Sequence, residues 1–189
     1  MQGETLDAYV FVPSGSEDTM DKLKELWKAG HVRYANRVLS GAYGAVAFIE
    51  VAVRAEGDVA TLGDLKAKLT AVRNQVNPGT SVGVAIQVGT RAPSRWSEKA
   101  PVGAYTRIRT ERGKARQVFE ALNDRFAGRD QYGSALVAGD FDVLIEVDAD
   151  TIDELGPMIE RINGVGGIVS TDSAIVINDP YEPRDPGDQ

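Results

Sequence analysis

Leu62-Gly63-Asp64-Leu65-Lys66-Ala67-Lys68-Leu69-Thr70-Ala71-Val72 and Ile152-Asp153-Glu154-Leu155-Gly156-Pro157-Met158-Ile159-Glu160-Arg161-Ile162 carry one apolar pattern at an offset of 90. In each, apolar side chains recur at intervals of 3, 4 and 3. That spacing is one face of an α-helix. The match continues outward: Ala8-Tyr9 corresponds to Ala104-Tyr105, and Ile49-Glu50-Val51 to Ile145-Glu146-Val147, both at an offset of 96. The change of offset places a length difference between a strand and the second helix, where a loop absorbs it. A unit of about 90 residues is too long for a solenoid repeat and reads as two related domains.

Each copy reads strand, helix, strand, strand, helix, strand. In the first, Asp7–Val12 is a strand, and Ser14-Gly15-Ser16-Glu17 has the form of a capping box. Met20, Leu23 and Trp27 supply the buried stripe of the helix that follows, and Gly30 ends it. His31–Ser40 and Ala45–Arg54 form a hairpin, Leu62–Val76 is the second helix, and Ser81–Val88 the last strand, after the turn Asn77-Pro78-Gly79. In the second copy, Tyr105–Arg109 is a strand, and Ala115, Val118, Phe119, Leu122 and Phe126 share a helical face. Tyr132–Ala138 pairs with Phe141–Val147; Thr151 caps a helix that Gly156-Pro157 should kink or delay, and Val169–Ile177 closes the sheet. Phe141, Val143, Ile145 and Val147 share one strand face while Leu144 lies on the other. Strands apolar on both sides need a second covering layer. The fold expected is therefore α+β: two ferredoxin-like βαββαβ units packed sheet to sheet, a pseudo-dimer of the dimeric α+β barrel kind. Residues 1–89 form the first copy, 90–102 the linker with Trp96 as its one large apolar group, 103–177 the second copy, and 178–189 a disordered acidic tail.

Composition narrows the chemistry. Zero cysteines exclude disulfides and thiolate sites, and a single histidine excludes a multi-histidine metal centre within one chain. The net charge of −7 is uneven: 9 basic and 10 acidic side chains in residues 1–89 give −1, residues 90–102 give +2, and the remainder holds −8. That second copy is a poor partner for phosphate backbones. No apolar run is long enough to span a bilayer, and Met1-Gln2-Gly3-Glu4 has no basic, apolar secretion signal. These absences lead to the expectation of a cytoplasmic protein with no membrane or direct nucleic-acid partner.

Two motifs carry a resemblance. Gly139-Asp140-Phe141-Asp142 stands between the middle strands of the second copy, and Gly167-Ile168-Val169-Ser170-Thr171-Asp172-Ser173-Ala174-Ile175-Val176-Ile177 ends it. On a βαββαβ frame, both are similar to the ligand-binding (RAM) domain of the Lrp/AsnC regulator family, over roughly residues 103–177. The first copy keeps the frame and departs from the motif: Gly41 and Tyr43 survive at its turn, Gly44-Ala45 replaces the aspartate, and Ser81 and Gly83 replace the threonines. With a strand expected by Asp7, no helix-turn-helix is expected ahead of it. The resemblance implies a stand-alone, non-enzymatic module that senses a small molecule such as an amino acid, assembles as a homo-oligomer, and engages other Lrp/AsnC-family proteins. It implies a ligand site at Gly139, Asp140, Phe141, Asp142, Thr171 and Ser173, with Gly41 and Tyr43 as the diverged equivalent. This reading assigns no catalytic residue, no metal ligand and no cofactor.

The residues also support other readings. Gly139 and Gly167 serve backbone turns, Asp140 and Asp142 solvate a hairpin, and Thr171 and Ser173 are good strand formers in any case. Asp142 and Glu146, at i and i+4 of a strand, suggest paired carboxylates on one face. Two alternative functions remain: a dimeric α+β barrel enzyme related to small monooxygenases and haem-degrading proteins, with Trp27, His31 and Tyr43 drawn into its site, or a decoy that co-assembles with full-length regulators.

Overall fold

Leu65 and Val72, and at the same offset Leu155 and Ile162, are buried in the computed structural model, whereas Leu62 and Ile152, which open the two patterns, are exposed. The structure describes residues 6–13, 18–39, 43–51, 61–76, 82–92, 100–128 and 132–177. The elements are β1 Leu6–Pro13, α1 Thr19–Lys28, β2 Tyr34–Val38, β3 Tyr43–Val51, α2 Leu62–Val76 and β4 Gly83–Ala92, then β5 Val102–Thr110, α3 Ala115–Arg125, β6 Tyr132–Gly139, β7 Val143–Ala149, α4 Ile152–Asn163 and β8 Ile168–Ile177. The second helix of the first half thus has the bounds the spacing predicts. Pro157 sits inside α4 without delaying its start. In α1 the buried groups are Thr19, Leu23 and Leu26, so the stripe runs through Leu26 rather than the expected Trp27. Gly30, at φ +74, takes the left-handed conformation expected of it. The capping box, Gly41, the Asn77-Pro78-Gly79 turn, Trp96 and the tail lie outside the described residues.

All eight strands close one antiparallel barrel in the order β1-β3-β2-β8-β5-β7-β6-β4. Within each half the order is the same, the last strand beside the first, then the third, then the second. Two seams join the halves: β2 meets β8 through Arg37–Ile177 and Val38–Val176, and β4 meets β6 from Ala85–Gly139 to Ala92–Ser134. The expected sheets therefore do more than face each other, because their edges pair. Closure removes open edges, which are a liability of any sheet. It also carries β4 to Ala92, past the predicted strand end at Val88.

Three apolar clusters follow from the strand alternation. Ala8, Val10, Val12, Ala47 and Ile49 pack under α1 and α2, and Ala104, Ile108, Val143, Ile145 and Val147 under α3 and α4. Fully burying one of the valine or isoleucine side chains among them contributes roughly 1.5–3 kcal/mol. The opposite strand faces meet inside the barrel, where Tyr9, Phe11, Phe48, Tyr105, Phe141 and Leu144 belong to the third cluster. Phe141 is a correction: it faces the interior and not the layer of Val143. Backbone alternation begins only at Val143, because Asp142 lies in a bend before β7 and its amide donates to the Ile108 carbonyl oxygen at 2.9 Å.

Candidate functional site

The interior side of the barrel is apolar in the middle and polar toward both ends. Odd-numbered positions of β1 and β5 point inward, so Asp7 accompanies Tyr9, and Arg107 accompanies Tyr105. On β7 the even positions do so, and Glu146 and Asp148 follow Leu144 inward. Asp7, Glu146 and Asp148 are each at most 4% exposed. Charged side chains at this depth cost stability unless they are paired and hydrogen-bonded. Aliphatic groups would hold a barrel together at lower cost.

Tyr105 is the centre of the polar group. Its hydroxyl accepts a 2.9 Å hydrogen bond from Asn36 Nδ2, which reaches across from the other half. Its ring lies edge-on to Tyr9 at 6.2 Å between centroids, and Glu146 is its neighbour in the β5–β7 register. Burial pushes the Tyr105 phenol well above its ordinary pKa of 10.0; the Tyr34, Glu146 and Tyr9 groups add to the rise and the Asn36 hydrogen bond opposes it. The phenol is therefore neutral at physiological pH. A hydroxyl that accepts a hydrogen bond from an amide is polarised toward donating its own proton.

Near the β5 end Arg107 is enclosed by rings from three separate segments. Its guanidinium carbon lies 4.3 Å from the Tyr43 ring centroid, 4.8 Å from Phe11 and 5.7 Å from Phe141. Nη1 donates to the Tyr43 hydroxyl at 2.6 Å, and Nη2 pairs with the Asp172 carboxylate. Planar guanidinium groups stack on aromatic faces in this way.

The predicted ligand residues separate. Phe141 and Tyr43 meet at Arg107. Asp142 is spent on the end of β5, where Oδ2 accepts from the Thr110 amide at 2.8 Å and the Thr110 hydroxyl at 3.0 Å. Asp140 is exposed, and its carbonyl oxygen accepts from Arg109. Thr171 donates to Asn163 Oδ1 at the end of α4, and Ser173 shares a 2.9 Å hydrogen bond with Thr106, both on the helix side of the strand. Gly139, at φ +150, sits in the β4–β6 seam, where an added Cβ would lie 2.5 Å from the Val84 carbonyl oxygen. Of the enzyme alternative's residues, only Tyr43 reaches the interior. Trp27 is on α1, and His31 is in the turn closing that helix, its amide bonded to the Leu26 carbonyl oxygen. Sequence reasoning missed Tyr105, Asn36, Glu146 and Arg107 as a group. The available signal was the shared alternation of Tyr105 and Arg107, opposite to that of Ile108.

No family model matches the sequence, and no curated protein matches it. Solved structures are similar over nearly the whole chain. An anthrone oxidase-like protein superposes with a TM-score of 0.59 at 11% identity, covering 94% of this chain and 91% of its own. A candidate monooxygenase of Lactobacillus acidophilus NCFM gives 0.58 at 9%, with coverages of 92% and 93%. Chlorite dismutase of Candidatus Nitrospira defluvii, in complex with imidazole, gives 0.58 at 10%, with coverages of 93% and 91%. These matches identify the fold as that of dimeric α+β barrel proteins. They also correct the functional reading. These chain-long neighbours are named for oxidase, monooxygenase and dismutase activities and not as regulator domains, so the expectation of a non-enzymatic sensing module is withdrawn. Among the described residues no helix is long and apolar enough to cross a membrane.

A haem would find no cysteine, histidine or methionine donor in the barrel interior among the described residues. Axial ligands to haem iron are imidazole, thiolate, thioether or phenolate. The chain has no cysteine, its one histidine lies in the turn after α1, Met20 and Met158 pack in the helix-facing clusters, and at the central phenol, Tyr105, burial disfavours the phenolate.

Proposed function

We propose that the chain is an enzyme whose chemistry takes place inside the barrel, and that it oxidises a small oxygenated aromatic molecule with dioxygen. The observation that carries this reading is the Tyr105–Asn36 pair beside Glu146 in an interior that packing alone would fill with apolar groups. In this reading Glu146 is the general base and takes a proton from a methylene carbon next to an aromatic carbonyl system. Tyr105, polarised by Asn36, donates to the carbonyl oxygen as charge moves onto it. Donors fixed before the reaction stabilise such developing charge most effectively. The carbanion gives an electron pair to dioxygen, a carbon–oxygen bond forms, and the proton from Glu146 completes a hydroperoxide. Loss of the second carbon-bound hydrogen breaks the O–O bond and releases water. In balance, one methylene group and one molecule of dioxygen give one ketone carbonyl and one molecule of water, with dioxygen as the oxidant.

The fold supports this chemistry by analogy, because one solved neighbour is named for anthrone oxidation, and fold alone does not fix function. The RAM-like pattern of residues 103–177 is retained as a proposal about a shared βαββαβ frame. Assembly of chains into a homo-oligomer is a second such proposal.

The test is oxygen uptake by the purified protein with anthrone under air, alongside the absorbance of the quinone product. Uptake matching product is expected, and Glu146→Gln should lower kcat by about 10²-fold or more, the usual contribution of a general base. No uptake above the uncatalysed rate with anthrone or with related ketones and phenols would overturn the reading. Uptake unaffected by Glu146→Gln would remove Glu146 from it.

A further inference from the structure

Arg107 presents five N–H donors, as every guanidinium does. Nη1 and Nη2 meet Tyr43 and Asp172, while the buried Nε–H finds no acceptor among the described residues. The two members of the ion pair are unequally placed. The Arg107 side chain is 11% exposed and that of Asp172 is 64% exposed. Asp172 is thus the member that solvent can take up once another anion meets the guanidinium, whereas Arg107 is held by Phe11, Tyr43 and Phe141. Because the Arg107 guanidinium is largely buried, a group that displaces Asp172 has to carry a negative charge of its own. A carboxylate offered from another direction could take two parallel hydrogen bonds along the guanidinium edge that includes Nε, the strongest arrangement such a pair has.

We propose that Arg107 recognises the anionic group of the substrate, that this substrate is an aromatic carboxylate or phenolate, and that Asp172 is a built-in competitor for the same guanidinium. The inference rests on the interior reaction site proposed above and names the substrate class for it. Its elements come from both halves: β1 and β3 supply Phe11 and Tyr43, β5 and β8 supply Arg107 and Asp172, and Phe141 comes from the bend before β7. The rings of Phe11, Tyr43 and Phe141 around the cation would give the flat body of such a molecule an aromatic surface, while the cation would fix its charged end.

The experiment measures binding of 2-naphthoate and of neutral 2-naphthalenemethanol to the full chain by saturation-transfer NMR and calorimetry. The wild type should prefer the carboxylate by about tenfold or more, the scale of one charge-assisted hydrogen bond. Arg107→Gln should abolish that preference, with unfolding midpoint and circular dichroism recorded in parallel. Asp172→Asn, at an exposed position, should tighten naphthoate several-fold and leave the alcohol unchanged. Equal binding of the two compounds, binding of neither at millimolar concentration, or weaker naphthoate binding by Asp172→Asn would each overturn the proposal. A preference that depends on Arg107 in a protein without oxygen uptake would sink the oxidase reading and keep this one. Oxygen uptake on neutral substrates without charge preference would do the reverse.

Discussion

The side of the barrel that faces the helices hardly changes between the two halves, and the interior side does. At the offset of 96, Ala8 becomes Ala104, Val12 becomes Ile108, Ala47 becomes Val143, Ile49 becomes Ile145 and Val51 becomes Val147. Val10 becomes Thr106, whose hydroxyl is satisfied by Ser173. Inside, Tyr9 is repeated as Tyr105, but Asp7 becomes Gly103, Phe11 becomes Arg107 and Phe48 becomes Leu144. Helix-on-sheet packing requires apolar volume and little else, so conservative exchanges satisfy it. The interior has no such constraint shared by both halves. Its asymmetry brings a cation from one half against aromatic rings from both, which a symmetric barrel would lack.

The largest expected effect is at the seam that separates interior from exterior. Gly139→Val forces a branched side chain onto a backbone at φ +150 and into the Val84 carbonyl oxygen. We expect a loss on the order of 4–5 kcal/mol, at the upper end for one substitution. Urea unfolding would measure it, and a loss below about 1 kcal/mol would show that the seam is not tightly closed.

Next come the paired positions of the helix-facing layer. Ile49→Ala and Ile145→Ala each remove a fully buried side chain. Each should cost about 3 kcal/mol, within the range for Ile to Ala in a core. The comparison predicts that the two costs agree within a factor of about 1.5. A twofold disagreement in denaturant midpoints at constant m-value would break the equivalence of the layers.

The third effect is a pH dependence. Burial pushes the Tyr132 phenol up to about 12 from 10.0, with its Ser134 hydrogen bond opposing the rise. A folded-state pKa above the unfolded value means stability is complete below pH 10 and falls as the pH rises toward 12. Tyr132 lies in the helix-facing layer, against Phe126 and Asn123, and Tyr105 lies in the interior. Tyr132→Phe should therefore reduce the alkaline loss by on the order of 2 kcal/mol, at about 1.4 kcal/mol per pKa unit. Tyr105 would retain its own share. Unfolding curves at pH 9 and 11.5 check this; an unchanged difference between wild type and variant would mean the phenol is not burdened by burial.

The helix-facing layer was legible in the sequence because its signals are periodic and local. Leu65, Val72, Leu155 and Ile162 announce themselves by spacing. Closure was not legible, since the β2–β8 seam rests on two residue pairs from opposite ends of the chain. Without closure, a period-two pattern leaves open which side of a strand looks inward. Thr171 and Ser173 alternate with Asp172, and only the closed barrel puts Asp172 at Arg107 and the two hydroxyls toward the helices. Phe141 illustrates the same limit. Its counterpart at the offset of 96 is Ala45, which stays in the helix-facing layer because β3 already runs from Tyr43, whereas β7 begins only at Val143. The bend at Asp142 has no signature in apolar spacing.

The smallest effect concerns the two residues that share the repeat pattern but not its burial. Leu62 is 69% exposed and Ile152 is 51% exposed, each at the first position of its helix. The 3-4-3 spacing places both on the apolar face, yet each opens its helix and stays exposed. Leu62→Gln and Ile152→Gln, together in one chain, should change stability by no more than about 0.5 kcal/mol, as exposed positions usually do. Light scattering on the same variant adds a second reading. If chains associate through these helix starts, the mass should fall toward that of one chain, and stability should become dependent on protein concentration in the wild type only. A stability loss above about 1 kcal/mol with no change in mass would instead place both side chains under a cover from their own chain, and the equivalence of the two helices would then extend over the whole apolar pattern and not only its inner turns.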